Sequence, residues 1–360
     1  MGSLVSVMVY FAANVRCCKP SCVPRSARST CSKLVRLEGP SSKDRAYTVA
    51  MSSDQRPPPL FSAGNALSQA YKNLRDANAS DAAAGKAFVE QLWDRYFPYS
   101  DAHFLEEVRR DFHARFWEMY LTCALLEAGP KHDYRVQCPK PGPDILIEHK
   151  GRRVWVEAVT ATPGDPSKPD SLVERIDGQM SLVPTDRIVL RYSNAIAAKH
   201  AKYLDYLAAG IVSGADSYVV AVNSWSLGCS WTSGEMPRFL KAVFPMGALG
   251  YAIDAATRQI VDRKHQFRPI IQKNNRAGVS TEIFVNDEYR GLSAILHSHA
   301  HAFMNRPLGT DFEIAHHPLA AQPVPAGLIP ARREWHATPN EERGGYELTC
   351  YDGQSFVAPS

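Results

Sequence analysis

Two apolar runs of strand length, joined by a short basic link, constrain the fold of this chain more than any other feature. The runs cover residues 143–147 (PDILI) and 154–159 (VWVEAV), and the link between them contains His-Lys-Gly-Arg at 149–152. Strand-forming runs separated by such turn residues indicate a β-hairpin. Neighbouring antiparallel strands lie about 4.8 Å apart, so side chains on the two strands come close together.

Each strand of this hairpin carries one acid. Asp144 opens the first strand, and Glu157 lies near the end of the second. Two carboxylates on adjacent strands can bind one divalent cation, and Glu118 in the amphipathic segment just upstream offers a third. A buried carboxylate without a partner is costly, which favours a functional role for Glu157. The simpler alternatives are that Asp144 only caps a turn and that Glu118 lies on a solvated helix face.

The order of elements around the hairpin predicts an α/β core. One long helix is expected from a cap at Asp101 to the stop signal at 129–130, because apolar residues recur there at helical spacing. A continuous apolar run at 218–223 is typical of a strand buried in a mixed or parallel sheet. The other elements expected are an edge strand at 134–136, strands at 143–149 and 152–160, and a helix over 188–208.

This arrangement resembles the PD-(D/E)XK nuclease superfamily over about residues 102–225. The matching residues are Glu118 in FWEMY, Asp144 after Pro143, and Glu157 in EAV. The resemblance implies a restriction-endonuclease-like mixed β-sheet flanked by helices. It also implies that Glu118, Asp144 and Glu157 bind Mg²⁺ or Mn²⁺ and that the protein cleaves DNA. The chain departs from the family at the lysine position, which Val159 occupies.

A nearby lysine normally helps to position or deprotonate the attacking water and offsets charge in the transition state. Because Val159 cannot do this, we expect a displaced cation from the helix after the hairpin, with Lys199 first and Lys202 next. The alternative for Lys199 is an ordinary surface charge. The nuclease hypothesis requires Asp144, Glu157 and a Lys or Arg nitrogen to meet in one small polar cleft.

The net charge of +4 does not by itself support DNA binding. Residues 1–50 contain eight basic and two acidic side chains, and residues 51–360 contain the remaining 33 basic and 35 acidic ones. The larger part of the chain therefore carries a net charge of −2. Contact with DNA would have to use a local patch, such as Lys150, Arg152 and Arg153 at the hairpin turn.

Two other functions remain open. The first is a catalytically inactive nuclease fold that acts as a binding or interaction protein. The second is a histidine–metal enzyme that uses His297, His299 and His301, since alternating histidines share one face of a strand. The sequence has no phosphate-binding glycine-rich loop and no GxSxG motif, which argues against nucleotide-driven and α/β-hydrolase chemistry.

Four regions are predicted along the chain. Residues 1–60 are expected to be a disordered leader, 61–100 a helical extension, 101–225 the core, and 226–360 a β-rich C-terminal extension of the same domain. Within that extension, a strand is expected at 281–285 and a terminal hairpin at 333–350. Scattered single cysteines indicate a reducing, cytoplasmic location. No apolar run approaches the roughly 20 residues of a membrane span, so no membrane association is expected.

Overall fold

A mixed β-sheet organises the fold in the computed structural model. The structure describes residues 5–9, 57–172, 182–228, 236–304, 306–340 and 345–352. The strands of these segments are β1 (Val5–Val9), β2 (Arg135–Gln137), β3 (Ile145–His149), β4 (Arg152–Thr160), β5 (Ser217–Asn223), β6 (Met246–Ile253), β7 (Ile260–Phe267), β8 (Ile270–Gln272), β9 (Gly278–Ser280), β10 (Ala294–Ser298), β11 (Glu313–His316), β12 (Arg333–Pro339) and β13 (Tyr346–Asp352). The helices are α1 (Gln69–Arg75), α2 (Ser80–Tyr96), α3 (Phe104–Arg110), α4 (Phe112–Ala128), α5 (Thr185–Ala208) and α6 (Arg238–Val243).

The large sheet has the strand order β1-β13-β12-β11-β10-β5-β4-β3-β2 among the described segments. Its central strands β4, β5 and β10 run parallel to one another, as do β11 and β12, and the other neighbours are antiparallel. The prediction of a mixed α/β fold is confirmed. Because the carboxyl ends of β4, β5 and β10 meet at one edge of the sheet, that edge is where a ligand site is expected in an α/β fold.

The predicted hairpin forms from β3 and β4. Lys150 and Gly151 make the turn, and both have positive φ angles (48° and 78°), as a tight two-residue hairpin turn of the I′ kind requires. The register pairs Ile145 with Val156 and His149 with Arg152. The strands are apolar on both faces because both faces are covered by other elements.

The two faces of β4 pack against different helices. Val154 and Val156 lie in the core cluster that contains Trp117 of α4. Trp155 lies in the cluster on the other face, together with Ile188 of α5. The indole Nε1 of Trp117 also donates a hydrogen bond of 2.9 Å to the Ala221 carbonyl of β5, which fixes α4 to the centre of the sheet.

The single long helix predicted after Asp101 is wrong. The segment forms two helices, α3 and α4, that meet at Asp111. This residue has φ −135° and ψ 84°, outside the helical range, and its carboxylate accepts a hydrogen bond of 3.1 Å from the Ala114 amide. Asp111 therefore ends one helix and caps the next, which apolar periodicity alone does not reveal.

The predicted leader extends too far at its C-terminal end. Leu60 is fully buried, and the backbone amides of Leu60 and Phe61 donate to the carboxylate of Glu90 in α2. Trp93 Nε1 donates to the Pro58 carbonyl at 2.8 Å. Residues 57–60 are thus part of the packed fold, and β1 pairs with β13. The rest of the predicted leader, residues 1–4 and 10–56, lies outside the described residues.

The C-terminal half contains further differences from the sequence prediction. The prediction of a strand at 281–285 is wrong. Residues Ile283–Val285 form a 3₁₀ turn instead, in which Ile283 and Phe284 are buried. A short apolar run does not distinguish between these outcomes. The hairpin of β6 and β7 was not predicted, whereas β12 and β13 form the expected terminal hairpin.

The described residues all belong to one compact unit. Strands from the predicted core and from the predicted C-terminal extension share the same large sheet. Among the helices that the structure describes, none combines the length and apolar character that crossing a bilayer requires.

Replacing Asp111 by Ala should lower the free energy of unfolding by about 1 kcal/mol, because the first turn of α4 loses its side-chain cap. Urea denaturation measures the change. Asp111→Asn is the matched control, since asparagine caps nearly as well as aspartate and should restore most of the loss. Equal destabilisation by both variants would show that the cap does not hold this helix junction.

Candidate active site

A polar cleft opens beside the hairpin, between α4 and α5. Its volume is about 380 Å³. Four basic and four acidic side chains line it, so its charge is balanced. The lining residues are Glu107, Arg110, Asp111, Ala114, Arg115, Glu118, Asp144, Ala158, Val159, Thr160, Lys199 and Lys202.

Glu157 lies behind this cleft and is fully buried. Its Oε1 atom accepts hydrogen bonds from Lys199 Nζ and from Lys202 Nζ, each at 2.7 Å. The two lysines are three positions apart on α5, which brings both side chains to one face of the helix. The side chain of Lys199 is 19% exposed and that of Lys202 is 44% exposed, so the first is the more enclosed cation.

The two oxygens of Glu157 have different surroundings. Oε1 accepts from both lysines, whereas Oε2 is buried and has no hydrogen-bond partner within the described part of the chain. An unpartnered buried carboxylate oxygen is uncommon in a native protein. Oε2 is therefore the atom of this group whose hydrogen-bonding capacity is unfilled.

Lys202 stays charged throughout the neutral range. Burial alone would lower its pKa, but the hydrogen bonds with Glu157 and Tyr206 outweigh that effect and raise the pKa. The Tyr206 hydroxyl in turn donates to the Gly142 carbonyl at 3.0 Å, close to the start of β3. These contacts fix α5 to the hairpin at the cleft.

Asp144 connects the two sides of the cleft. Its Oδ2 atom accepts a hydrogen bond of 2.7 Å from the Ala158 amide, next to Glu157 in β4. Burial, together with the negative charges of Glu157 and Glu118, raises the pKa of Asp144 to about 6, although Lys199 opposes the change. A carboxyl group that titrates so near neutrality is typical of functional sites.

Glu118 lies on the α4 side of the cleft, and both of its oxygens have protein partners. Oε1 accepts from the Tyr96 hydroxyl at 2.7 Å, and Oε2 accepts from Arg115 Nη1 at 2.5 Å. Burial and the charge of Glu118 raise the pKa of Tyr96, so the phenol remains a donor. Neither Tyr96 nor Arg115 was among the predicted site residues, because their relevance depends on tertiary contacts.

The predicted residues thus surround one site, but the three acids do not form a compact ligand shell. Within the described residues, Glu118, Asp144 and Glu157 do not provide three oxygens that all lie within 4.8 Å of one another. Asp144 and Glu157 are the better ligands, since Glu118 is already held by Tyr96 and Arg115. Glu118 would therefore contact a bound cation through water.

The three histidines predicted as an alternative metal site do not converge. The strand β10 ends at Ser298, so His299 and His301 lie beyond it, and the expectation of one shared strand face is wrong. His297 is buried, where its Nε2 meets the hydroxyls of Tyr192 and Ser224 at 3.0 and 2.9 Å. The His301 ring instead stacks on Trp225 with the ring centroids 3.7 Å apart.

Fold and site together define an α/β protein with a charged cleft beside a β-hairpin and near the carboxyl ends of parallel strands. Comparisons with protein-family models, with curated proteins and with solved structures found no match to this chain.

Removing both lysines should destabilise the protein by more than the sum of the single changes. Lys199→Met or Lys202→Met leaves Glu157 with one cation, and each should cost about 1 kcal/mol. The double variant leaves a buried carboxylate unpaired, which should cost about 3–5 kcal/mol. Urea denaturation at pH 7 provides the double-mutant cycle.

Adding Glu157→Gln to the double variant is the matched control for this cycle. The triple variant lacks the unpaired charge and should regain a large part of the lost stability. Additive single effects, or no recovery in the triple variant, would contradict the assignment of Glu157 as the shared acceptor of both lysines.

Asp144→Asn should become more stable relative to the wild type as the pH rises from 4 to 7. The pKa of Asp144 is about 6 in the folded protein, above the ordinary aspartate value of about 3.9. The folded state therefore binds more protons in this window, and its stability falls as the pH rises. Between pH 4 and 7, the free energy of unfolding of the variant should rise by about 2 kcal/mol relative to that of the wild type, as measured by urea denaturation.

The control for this pH dependence is Asp254→Asn. Hydrogen bonds from the Thr257 amide and hydroxyl lower the pKa of the exposed Asp254. Its charge therefore stabilises the folded state above the ordinary pKa, and this contribution is lost as the pH falls. The relative stability of Asp254→Asn should accordingly change little from pH 4 to 7, because both states of Asp254 are ionised over most of this window. A rise equal to that of Asp144→Asn would contradict the account of Asp144.

Proposed function

We propose that this protein is a metal-dependent nuclease of the PD-(D/E)XK type, with a restriction-endonuclease-like core, that hydrolyses DNA phosphodiester bonds in the cleft between α4 and α5. One observation carries the proposal. Lys199 and Lys202 reach the carboxylate of Glu157 from a neighbouring helix and line the same cleft as Asp144. Their ammonium groups supply the cation that Val159 cannot provide.

The residues present fit a divalent cation such as Mg²⁺ or Mn²⁺. Asp144 lines the cleft, and Glu157 offers a buried Oε2 atom with no hydrogen-bond partner among the described residues. Oxygen donors of this kind suit hard cations, which keep several of their waters. When bound, such an ion would act as a Lewis acid and lower the pKa of a coordinated water.

The two lysines have different proposed roles. Lys202 remains an ammonium because its pKa is raised, so it would offset negative charge on the phosphate. Lys199 has three N–H donors, of which one is directed at Glu157. Its remaining donors would orient the attacking water toward the phosphorus atom. Glu118 would hold a further water from the opposite wall.

DNA binding would depend on local groups of basic side chains rather than on the net charge of the chain. The cleft lining is balanced in charge, but Arg110 at its rim has a side chain that is 63% exposed. The basic residues Lys150, Arg152 and Arg153 line a separate depression at the hairpin turn. At a rise of about 3.3 Å per residue, the length of β4 separates the two regions by about 26 Å, which a bound duplex would have to span.

A catalytically inactive binding protein is the second candidate, and one observation favours it. Glu157 is fully buried and both lysines donate to it, so the three groups also form a self-contained structural ion cluster. Buried ionic clusters can be retained without catalysis. The proposed fold would then present the cleft and the basic turn as a binding surface.

Purified protein should nick supercoiled plasmid in the presence of Mn²⁺ or Mg²⁺, and EDTA should abolish the reaction. Asp144→Asn, Glu157→Gln and Lys199→Met should each lower the rate by about 100-fold or more, because each removes a group that acts on the metal or the water. The matched control is Lys131→Met, which should retain full activity, because Lys131 is exposed and lies just beyond the C-terminal end of α4.

Two further measurements separate loss of catalysis from loss of folding or binding. Circular dichroism should show that the variants remain folded, and a mobility-shift assay in Ca²⁺ should show that they still bind DNA. Nicking that persists in Asp144→Asn and Glu157→Gln would disprove the proposed site. Intact DNA binding without any nicking by the wild type would favour the inactive binding protein.

A further inference from the structure

A second group of potential metal ligands lies on β11 and β12, outside the cleft. His316 ends β11, and Glu334 and His336 are two positions apart in β12. The parallel register pairs Ile314 with Glu334, which brings His316 level with His336. Because side chains alternate along a strand, all three point to the same face of the sheet.

The three side chains approach one another closely. One potential ligand atom from each lies within 4.8 Å of the other two. Glu334 Oε2 is 3.4 Å from His336 Nε2 and 3.8 Å from His316 Nε2. In a tetrahedral zinc site with bonds of about 2.1 Å, neighbouring donor atoms are about 3.4 Å apart. The imidazole rings of His316 and His336 are stacked, with centroids 4.3 Å apart and an interplanar angle of 13°. One ring would therefore rotate about its side-chain bonds as the three atoms enclose an ion.

The two histidines differ in their hydrogen bonding. His316 Nε2 is buried and has no hydrogen-bond partner in the described ranges. His336 Nε2 shares a hydrogen bond of 3.4 Å with Glu334 Oε2, which is longer than the 2.7–3.2 Å of a good N–H···O hydrogen bond.

A backbone hydrogen bond and burial fix the orientation of the Glu334 carboxylate, as a metal ligand requires. Its Oε1 atom accepts a hydrogen bond of 2.9 Å from the Gly327 amide, which directs Oε2 toward the two histidines. Glu334 is 3% exposed, whereas the His336 side chain is 28% exposed. A metal ion could therefore enter from the His336 side. A secondary contact that orients a ligand in this way is usual in metal sites.

We propose that His316, Glu334 and His336 form a binding site for a borderline divalent transition metal, with Zn²⁺ as the representative ion. Two imidazoles and one carboxylate favour such ions over Mg²⁺ and Ca²⁺. Three protein ligands leave one tetrahedral position for water or a bound molecule. The site shares no residue with the proposed nuclease cleft and does not depend on it.

The experiment uses the full chain, purified without a histidine tag and stripped of metal. Zn²⁺ binding is measured by competition with a chromophoric chelator, and Co²⁺ by its visible absorption. The wild type should bind one equivalent of Zn²⁺ at this site. His336→Ala and the near-isosteric Glu334→Gln should each weaken binding by about 100-fold or more, since even loss of a residue that orients a ligand costs 10–100-fold.

His299→Ala is the matched control, because His299 belongs to the other histidine group and should leave binding unchanged. Asp144→Asn should likewise retain the Zn²⁺ site, which separates it from the proposed nuclease site. Circular dichroism checks that Glu334→Gln is folded. Zn²⁺ binding that survives in both His336→Ala and Glu334→Gln, that is lost in His299→Ala, or that is absent from the wild type would overturn the proposal.

Discussion

The pairing of one fully buried carboxylate with two lysines is the interaction on which the arrangement of the site depends. Glu157 lies in β4, between β3 and β5, where water does not reach it. A charge at that position needs compensation, and Lys199 and Lys202 supply it from α5. The contact therefore sets the position of α5 on the sheet, and with it one wall of the cleft.

The other wall follows from α4, and Asp144 connects the two. Trp117 fixes α4 to β5 through a backbone carbonyl, and the next residue, Glu118, is held by Tyr96 and Arg115. Asp144 lies just before β3, where the hairpin opens, so charges on both helices act on it. The pKa of Asp144 is raised at this position, because the effects of burial and of the two neighbouring carboxylates outweigh that of the nearby Lys199.

Sequence reasoning succeeded where local patterns decide the structure. The hairpin follows from two apolar runs and a turn. Lys199, with Lys202 next, was predicted as a displaced cation, and both lysines contact Glu157 in the structure. The break at Asp111 was missed because a capping residue can end one helix and begin the next without changing the spacing of the apolar residues around it. The group on β11 and β12 was missed because it depends on parallel pairing across a long connection, although the alternation of Glu334 and His336 is visible in the sequence.

The charges around Glu157 also constrain how the proposed nuclease would work. A divalent cation at Oε2 would add two positive charges beside two ammonium groups on the same carboxylate. At short range and with little solvent, that repulsion is large, so one lysine would have to withdraw. Lys202 is the candidate, because its side chain is 44% exposed and can reach water, whereas Lys199 at 19% is more confined. Lys199 would then stay at Glu157, where its remaining donors would orient the attacking water, and Lys202 would be free to reach the phosphate.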